Sequence, residues 1–316
     1  MKRGFPVSIC VARRLRFIPE ERTLVEVTCR TVHGRYLLRP SPLLDEIIIG
    51  ALARGLGRYG ARCIGFAFVS SHYHLLLEVD SAFQLSRVMG YFNSKMAREI
   101  GRLTGWHEKI WSRRYQAIVV SQEDAAQIGR LKYVLSHGVK ENLVERLRDW
   151  PGVHAVRALL DGEVLEGRWF DRTQEYGARR RGEAHDRLKY ATHETLTLEP
   201  LPCWKHLEPE KRRELIASLV KEIEDEAAAA RKRDGVQVAG ADAVLNRHPH
   251  TCPEKLKKGP APLFHAATAE MRRFLWSLYA EFVGKFRDAA EKLRAGDLSA
   301  VFPRGCFPPA LPFVPG

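Results

Sequence analysis

His72 and His74 stand two apart in the string SHYHLLLEVD. If that string is a strand, alternate side chains share a face. The two imidazoles can then converge on one metal ion while Tyr73 turns the other way. A His-x-His pair can also arise between histidines that share no ligand. Tyr133 and His137 are four apart, a spacing that puts both on one face of a helix. The apolar stripe of that helix is Ile128, Leu131 and Leu135. At ~100° per residue, Tyr133 lies ~200° from both leucines. A packed core tyrosine belongs on the stripe, and this one is off it. His137 can supply a third metal ligand beside the phenol. A third cluster is WSRRYQ, residues 111–116. Arg113 and Arg114, flanked by Trp111 and Tyr115, combine phosphate contacts with stacking surfaces. A solvated hairpin edge would use arginine as well.

These groups need a scaffold, and the sequence predicts one. Residues 23–33, TLVEVTCRTVH, are β-branched and alternating, which reads as a strand. Ser41 and Pro42 open a helix that carries Asp45 and Glu46 in its first turn, runs to about Tyr59 and is closed by Gly60. Residues 61–69 and 73–79 read as two further strands, with His72 at the edge of the second. Helical periodicity follows from about Ala82 to Ile100, and 109–120 reads as a fourth strand. Ser121 with Asp124 has the form of a capping box for a helix that reaches about His137, ended by Gly138. Strand, helix, strand, strand, helix, strand, helix is the order of a split β-α-β unit on an antiparallel sheet. Beyond Val144 the pattern loosens, and 150–207 is rich in Gly, Arg and short apolar pieces. Strong helices are expected at 208–233 and near 268–294. In the latter, Phe274, Leu278, Phe282 and Phe286 recur every four residues, a stripe read as core. The proline-rich tail, 302–316, is expected to lie extended on the surface.

Charge points to a polyanion, either nucleic acid or an anionic membrane surface. The chain has 316 residues, 51 Lys plus Arg against 38 Asp plus Glu, and a formal charge of +13. Residues 1–150 carry a net +10 and the remainder +3. The first half is therefore the one suited to a polyanion. A hydrophobic content of 45% with 28% charged residues fits a folded globular chain. No apolar run approaches the ~20 residues of a membrane span. The basic start, MKRGFPVSICVARRLRF, lacks the apolar stretch and cleavage site of a signal peptide. Cys10, Cys29, Cys63, Cys203, Cys252 and Cys306 are scattered without a C-x-x-C pair, which suits reduced thiols in a cytoplasm.

In these motifs the chain resembles the single-tyrosine HUH transposases, and among them the REP-associated tyrosine transposases. His72-Tyr73-His74 followed by Leu75-Leu76-Leu77 is similar to the His-hydrophobe-His strand of that family. YVLSHGVKENLV, residues 133–144, resembles Tyr-Ile-x-x-Asn-Pro-Val-Lys-x-Gly-Leu-Val. Trp111 to Arg114 and the early strand Val27-Thr28-Cys29-Arg30 fit as well, so the likeness covers about residues 20–150. Three departures stand out. Ser70-Ser71 precedes the first histidine in place of Pro-Asn or Ser-Asn. His137 stands where Asn or Gln is usual, and Gly138 replaces the proline.

The resemblance implies an α+β, ferredoxin-like core over residues 1–150, with a mainly helical accessory region over 151–316. It implies Tyr133 as nucleophile and His72, His74 and His137 as ligands of Mg²⁺ or Mn²⁺. Imidazole, softer than an amide oxygen, would shift the preference toward Mn²⁺. Trp111, Arg113, Arg114, Tyr115 and Arg130 are expected to touch DNA. The expected partner is single-stranded DNA beside a hairpin, such as a repetitive palindromic element. The expected protein is cytoplasmic and nucleoid-associated, works as a monomer or homodimer and uses no membrane. The chemistry implied is cleavage and strand transfer through a 5′-phosphotyrosine. A DNA-binding descendant that has lost cleavage would keep the same basic face. A two-histidine phosphoesterase would need a second His-x-Ser/Thr beside His193-Glu194-Thr195. A zinc site at His248-Pro249-His250-Thr251-Cys252 lacks a partner pair and reads as a surface loop.

Overall fold

The computed structural model describes residues 15–183, 186, 188–254 and 261–309. Cys10, the basic start up to residue 14 and residues 310–316 of the tail lie outside the described residues. Its elements, in order, are β1 (Thr23–Arg30), α1 (Pro42–Tyr59), β2 (Arg62–Val69), β3 (His72–Val79), α2 (Ala82–Thr104), β4 (Gln116–Val120), α3 (Asp124–Leu135), α4 (Val156–Asp161), β5 (Leu165–Phe170), α5 (Arg172–Arg180), β6 (Ala191–Leu196), α6 (Pro209–Asp234), α7 (Ala241–Leu245), β7 (Phe264–His265) and α8 (Ala269–Arg294). The fold is α+β. The central sheet runs β2-β3-β1-β4-β7, antiparallel except for the β4–β7 edge. β2-β3-β1-β4 is the split β-α-β arrangement expected from the order of elements, with a mostly helical C-terminal part behind it.

Register explains why the sheet has two unlike faces. β1 and β3 pair Val25 with Leu77, Val27 with Leu75 and Cys29 with Tyr73. These side chains share a face, and α2 covers it: Tyr73 and Phe68 both meet the ring of Phe92. α2 presents Leu85, Val88, Met89, Phe92, Met96 and Ile100 at helical spacing, all fully buried. Ser81 caps it by accepting from the Gln84 amide (3.1 Å), and Gly105 closes it with φ 67°. The opposite face pairs Arg30 with His72 and Thr28 with His74, and β4 adds Gln116 opposite Thr28. α3 packs on this second face, with Leu131 reaching Gly65 of β2.

The structure corrects several expectations. The fourth strand begins at Gln116, not at 109; before it only Trp111 forms an isolated bridge, to Thr31. The first strand stops at Arg30, and Val32–Gly34 forms a 3₁₀ turn. Ser121 does not cap α3. Its hydroxyl donates to Glu123 (2.6 Å), whose carboxylate accepts from the Ala267 and Thr268 amides at the start of α8. The stripe on α8 is not core. Phe274 is 54% exposed, and the buried positions of this helix are Leu275, Ala289 and Ala290. α8 shares a small satellite cluster with Val119, Phe264 and Ala266, and Phe17 packs on its Tyr279 and Phe282.

The loose stretch after residue 150 contains a hairpin. β5 and β6 pair antiparallel and lie on α1, where Gly50 and Gly167 meet backbone to backbone. A Cβ on either would come within 2.3 Å of the other strand of chain, so neither position tolerates a side chain. One apolar core runs from β1 through α1, α2 and α3 to Ile216, Leu219 and Ile223 of α6.

Candidate metal and nucleophile site

The site grows from the polar face of the sheet. Glu26, Thr28 and Arg30 alternate along β1, and His72 and His74 alternate on β3 beside them. α3 crosses above with Arg130 and Tyr133, and the turn after it delivers His137. The His74 and His137 rings stack with centroids 4.0 Å apart, and His72 lies 5.2 Å from His74 and 5.5 Å from His137. One nitrogen of each lies within 4.8 Å of the others, and among the described residues this is the group with metal-ligand geometry. Tyr133 is 41% exposed, with its ring centroid 5.7 Å from that of His74 and 5.1 Å from that of His137.

The donor set fits a divalent ion. His74 Nδ1 meets the buried Glu26 carboxylate at 2.5 Å, His137 Nδ1 donates to the Val134 carbonyl (3.0 Å), and His72 Nδ1 lies 3.1 Å from Ser71 Oγ. Each ring is thus held through Nδ1, which leaves Nε2 as the ligand atom, and a carboxylate behind a histidine raises its basicity. Lys140 Nζ also faces His137 Nδ1 at 3.3 Å. The Val134 bond is shorter and closes the helix end, so it sets the tautomer. Burial pushes all three imidazoles below their ordinary range, and the neighbouring cations push the same way. They are therefore neutral at pH 7, the state that ligates a metal.

Two charges brace this arrangement. Glu26 is buried, which raises its carboxyl, but the bond to His74 and the charge of Arg130 outweigh burial and hold it below the usual carboxylate range. Arg130 is buried too and forms an ion pair with Glu26. Tyr133 sits between two cations, Lys140 Nζ 3.7 Å and Arg130 4.7 Å from its ring centroid. Burial, then the Glu26 charge, raises its phenol above the ordinary tyrosine value.

A cleft of about 1,000 Å³ opens on this face, lined by Arg30, His72, His74, Arg113, Arg114, Arg130 and Tyr133 among others. Arg113 and Arg114 are exposed on its rim. The two aromatics beside them are not open stacking surfaces. Tyr115 is buried, and Trp111 packs edge-on against Tyr73 with its indole N–H donating to the Asn93 carbonyl (2.9 Å). The segment between α2 and β4 thus turns its rings inward and its guanidinium groups outward. Arg130 is engaged by Glu26 and positions the site from within the cleft.

Gly138 has a physical reason for departing from proline. Its φ is +92°, which a pyrrolidine ring cannot adopt, and a Cβ there would lie 3.1 Å from Trp150. Glu26, Ser71 and Lys140 touch the three imidazoles, and of these Glu26 stands outside the motifs. Glu26 was findable as an acidic residue at an inward position of a β-branched strand. His193 stands exposed on β6, opposite Arg168, with Nε2 3.5 Å from the Glu166 carboxylate, and is not a member of the triad. His248 Nδ1 accepts from the His250 backbone amide (3.2 Å), the His250 ring donates to the Thr104 carbonyl (2.8 Å), and Cys252 is exposed, as suits a surface loop. Of the described cysteines, Cys29, Cys63, Cys203, Cys252 and Cys306 are free thiols. No described helix is long and apolar enough to cross a membrane.

Residues 44–136 match the family model described as IS200-like transposase. The matched segment contains His72, His74 and Tyr133 and stops one residue before His137. No curated protein matches the sequence. Among solved structures, a REP-associated tyrosine transposase bound to a REP hairpin is similar over 48% of this chain and 86% of its own, at 12% identity and a TM-score of 0.40. A candidate transposase from Deinococcus radiodurans R1 is similar over 42% of this chain and 95% of its own, at 15% identity and a TM-score of 0.28.

Proposed function

We propose that this chain, similar over residues 44–136 to IS200-like transposases, is a transposase-type single-stranded DNA endonuclease and strand transferase with Tyr133 as nucleophile. The observation that carries the reading is the placement of an off-core tyrosine ring 5.7 Å and 5.1 Å from two members of a neutral histidine triad, in a cleft edged by arginines.

The phenol oxygen of Tyr133 attacks the scissile phosphorus. A Tyr133 Oη–P bond forms as the P–O3′ bond breaks, and the leaving strand departs as a 3′-hydroxyl. The product is a 5′-phosphotyrosine that keeps the phosphodiester bond energy, so the 3′-hydroxyl of a second strand end can reverse the step without a nucleotide cofactor. A phenol with an ordinary pKa near ~10 is a poor nucleophile at neutral pH. Burial and Glu26 raise it further here, so the reaction depends on charge stabilisation around the phosphate. His72, His74 and His137 would hold Mg²⁺ or Mn²⁺, which would supply Lewis-acid polarisation of that phosphate. Three imidazoles favour Mn²⁺ of the two. Lys140 and Arg130, on the Tyr133 ring, offset the charge that develops on the phenol oxygen. Arg30, Arg113 and Arg114 take neighbouring phosphates, with an affinity that falls as salt rises.

The substrate is single-stranded at the cut, because a tyrosine on a packed helix does not reach a phosphate inside intact duplex. A hairpin beside the cut, of the repetitive palindromic kind, suits the basic first half. One chain supplies all three histidines and the tyrosine, so the site is complete in cis. Residues 151–316 serve as an accessory region that braces α3 from behind.

A hairpin oligonucleotide with single-stranded tails, incubated with Mn²⁺ or Mg²⁺, tests the reading. A covalent protein–DNA adduct that survives denaturation and needs the metal is the expected result. Binding without any adduct in either metal would instead identify a DNA-binding descendant.

A further inference from the structure

A second cavity, of about 420 Å³, lies on the other flank of Tyr133, between α3 and the C-terminal half of α6. Its lining mixes apolar Ile223, Ala227 and Ala230 with the charged side chains of Lys132, Glu226, Arg231 and Asp234. α6 is fixed against α3 by Lys132, which donates to Glu222 (2.6 Å) and Glu226 (2.7 Å). The chain after α6 is tied to the loop after the nucleophile helix: the Ala239 and Gly240 amides donate to the Asn142 and Leu143 carbonyls, each at 2.9 Å. The groove is therefore a built feature of the fold.

Two further observations point to an occupant. Tyr133 is the residue that lines both this groove and the metal cleft. A strand whose phosphate lies at Tyr133 places the nucleotide on one side of that phosphate in the cleft and the other at the mouth of the groove. Arg231, in turn, has a buried Nη1 with no hydrogen-bond partner among the described residues. Its donors are the type that read carbonyl and ring-nitrogen edges of bases. A volume of this size lies in the ~300–1,000 Å³ range of small-ligand pockets. Apolar side chains beside hydrogen-bonding ones suit a flat ring with a polar edge.

We propose that the α3–α6 groove holds the nucleobase next to the phosphate that Tyr133 takes, with Ala227 and Ala230 leaving room for the ring and Arg231 reading its edge. This rests on the proposed function for the identity of the strand. It makes α6, outside the segment that carries the histidines and tyrosine, a specificity element of the site.

The test uses full-length Tyr133→Phe protein and a fluorescent hairpin oligonucleotide with single-stranded tails, together with a series carrying one abasic site at each tail position. Binding is followed by anisotropy at fixed salt. One abasic position is expected to weaken binding about tenfold. Ala230→Trp, which fills the groove, is expected to weaken the intact oligonucleotide about tenfold and to be indifferent to that same abasic site. Arg231→Ala, which keeps the groove open should Ala230→Trp fold poorly, is expected to lose the preference for which base stands there. If both variants bind every oligonucleotide as the parent does, or if no single position matters in the parent, the proposal is overturned. Adduct formation by wild-type protein separates the two ideas. Adduct with no groove effect removes the groove alone, a groove effect without adduct removes the cleavage reading alone, and no binding removes both.

Discussion

The two faces of the central sheet are made by the same strands, one residue apart, and they do opposite work. On one face Val25, Val27, Cys29, Tyr73, Leu75 and Leu77 lie under α2 in full burial. On the other, Glu26, Arg30, His72 and His74 meet Arg130, Tyr133 and His137. The apolar face holds the strands in register, and register decides where the two histidines point. A one-residue slip would send both imidazoles into the core. The polar face in turn carries buried charge, in which Glu26 is hydrogen-bonded to His74 and ion-paired with Arg130. The lesson is that stability and chemistry are separable here by parity along β1 and β3.

That separation can be broken from either side. The largest effect is expected from Tyr133→Phe, which should abolish covalent adduct formation while shifting unfolding by no more than about 0.5 kcal/mol, since the side chain is off the core. Phe92→Ala attacks the other face. Deleting a fully buried ring should cost about 3–5 kcal/mol in urea unfolding, with the metal affinity of the folded fraction unchanged.

pH sharpens the contrast between two kinds of buried histidine. His154 has both nitrogens engaged by backbone: Nε2 donates to the Leu135 carbonyl and Nδ1 accepts from the Val156 amide, each at 3.1 Å. Burial pushes it down to about 4. The unfolded chain then binds the extra proton first. Stability should therefore be full above pH ~6.5 and fall as pH drops toward ~4, by about 3 kcal/mol over that window. Urea midpoints compared between wild type and His154→Gln check this, because the variant should lose most of that slope. The smallest effect is expected from Glu26→Gln, which keeps the hydrogen bond to His74 and removes the charge. Metal affinity of the folded fraction, read by calorimetry with Mn²⁺, should fall about 10–100-fold.

Much of this was legible in the amino-acid string because it depends on local periodicity. The alternation in β3 placed His72 and His74 together, and the stripe Leu131–Leu135 showed Tyr133 to be off the core. What was not legible depends on partners distant in sequence. Glu26 matters only through the β1–β3 register. Tyr115 and Trp111 resemble open stacking rings until α2 and the N-terminal segment are seen against them, as Trp111 on Asn93 and Arg16 over the Tyr115 ring. The β5–β6 hairpin is held by backbone contact between Gly50 and Gly167, which no hydrophobic pattern reports. α8 carries a regular aromatic stripe, yet Phe274 on it is exposed, so regularity alone was a poor guide to burial there.

The central claim is that Tyr133 and the histidine triad act as one site on DNA. Peptide mapping by mass spectrometry of the adduct between wild-type protein and a tailed hairpin oligonucleotide, with and without Mn²⁺, tests it most directly. The account predicts a nucleotide mass on the peptide containing Tyr133, formed only with metal and lost in His74→Ala. Modification of a different residue, or an adduct that persists in Tyr133→Phe, would contradict it.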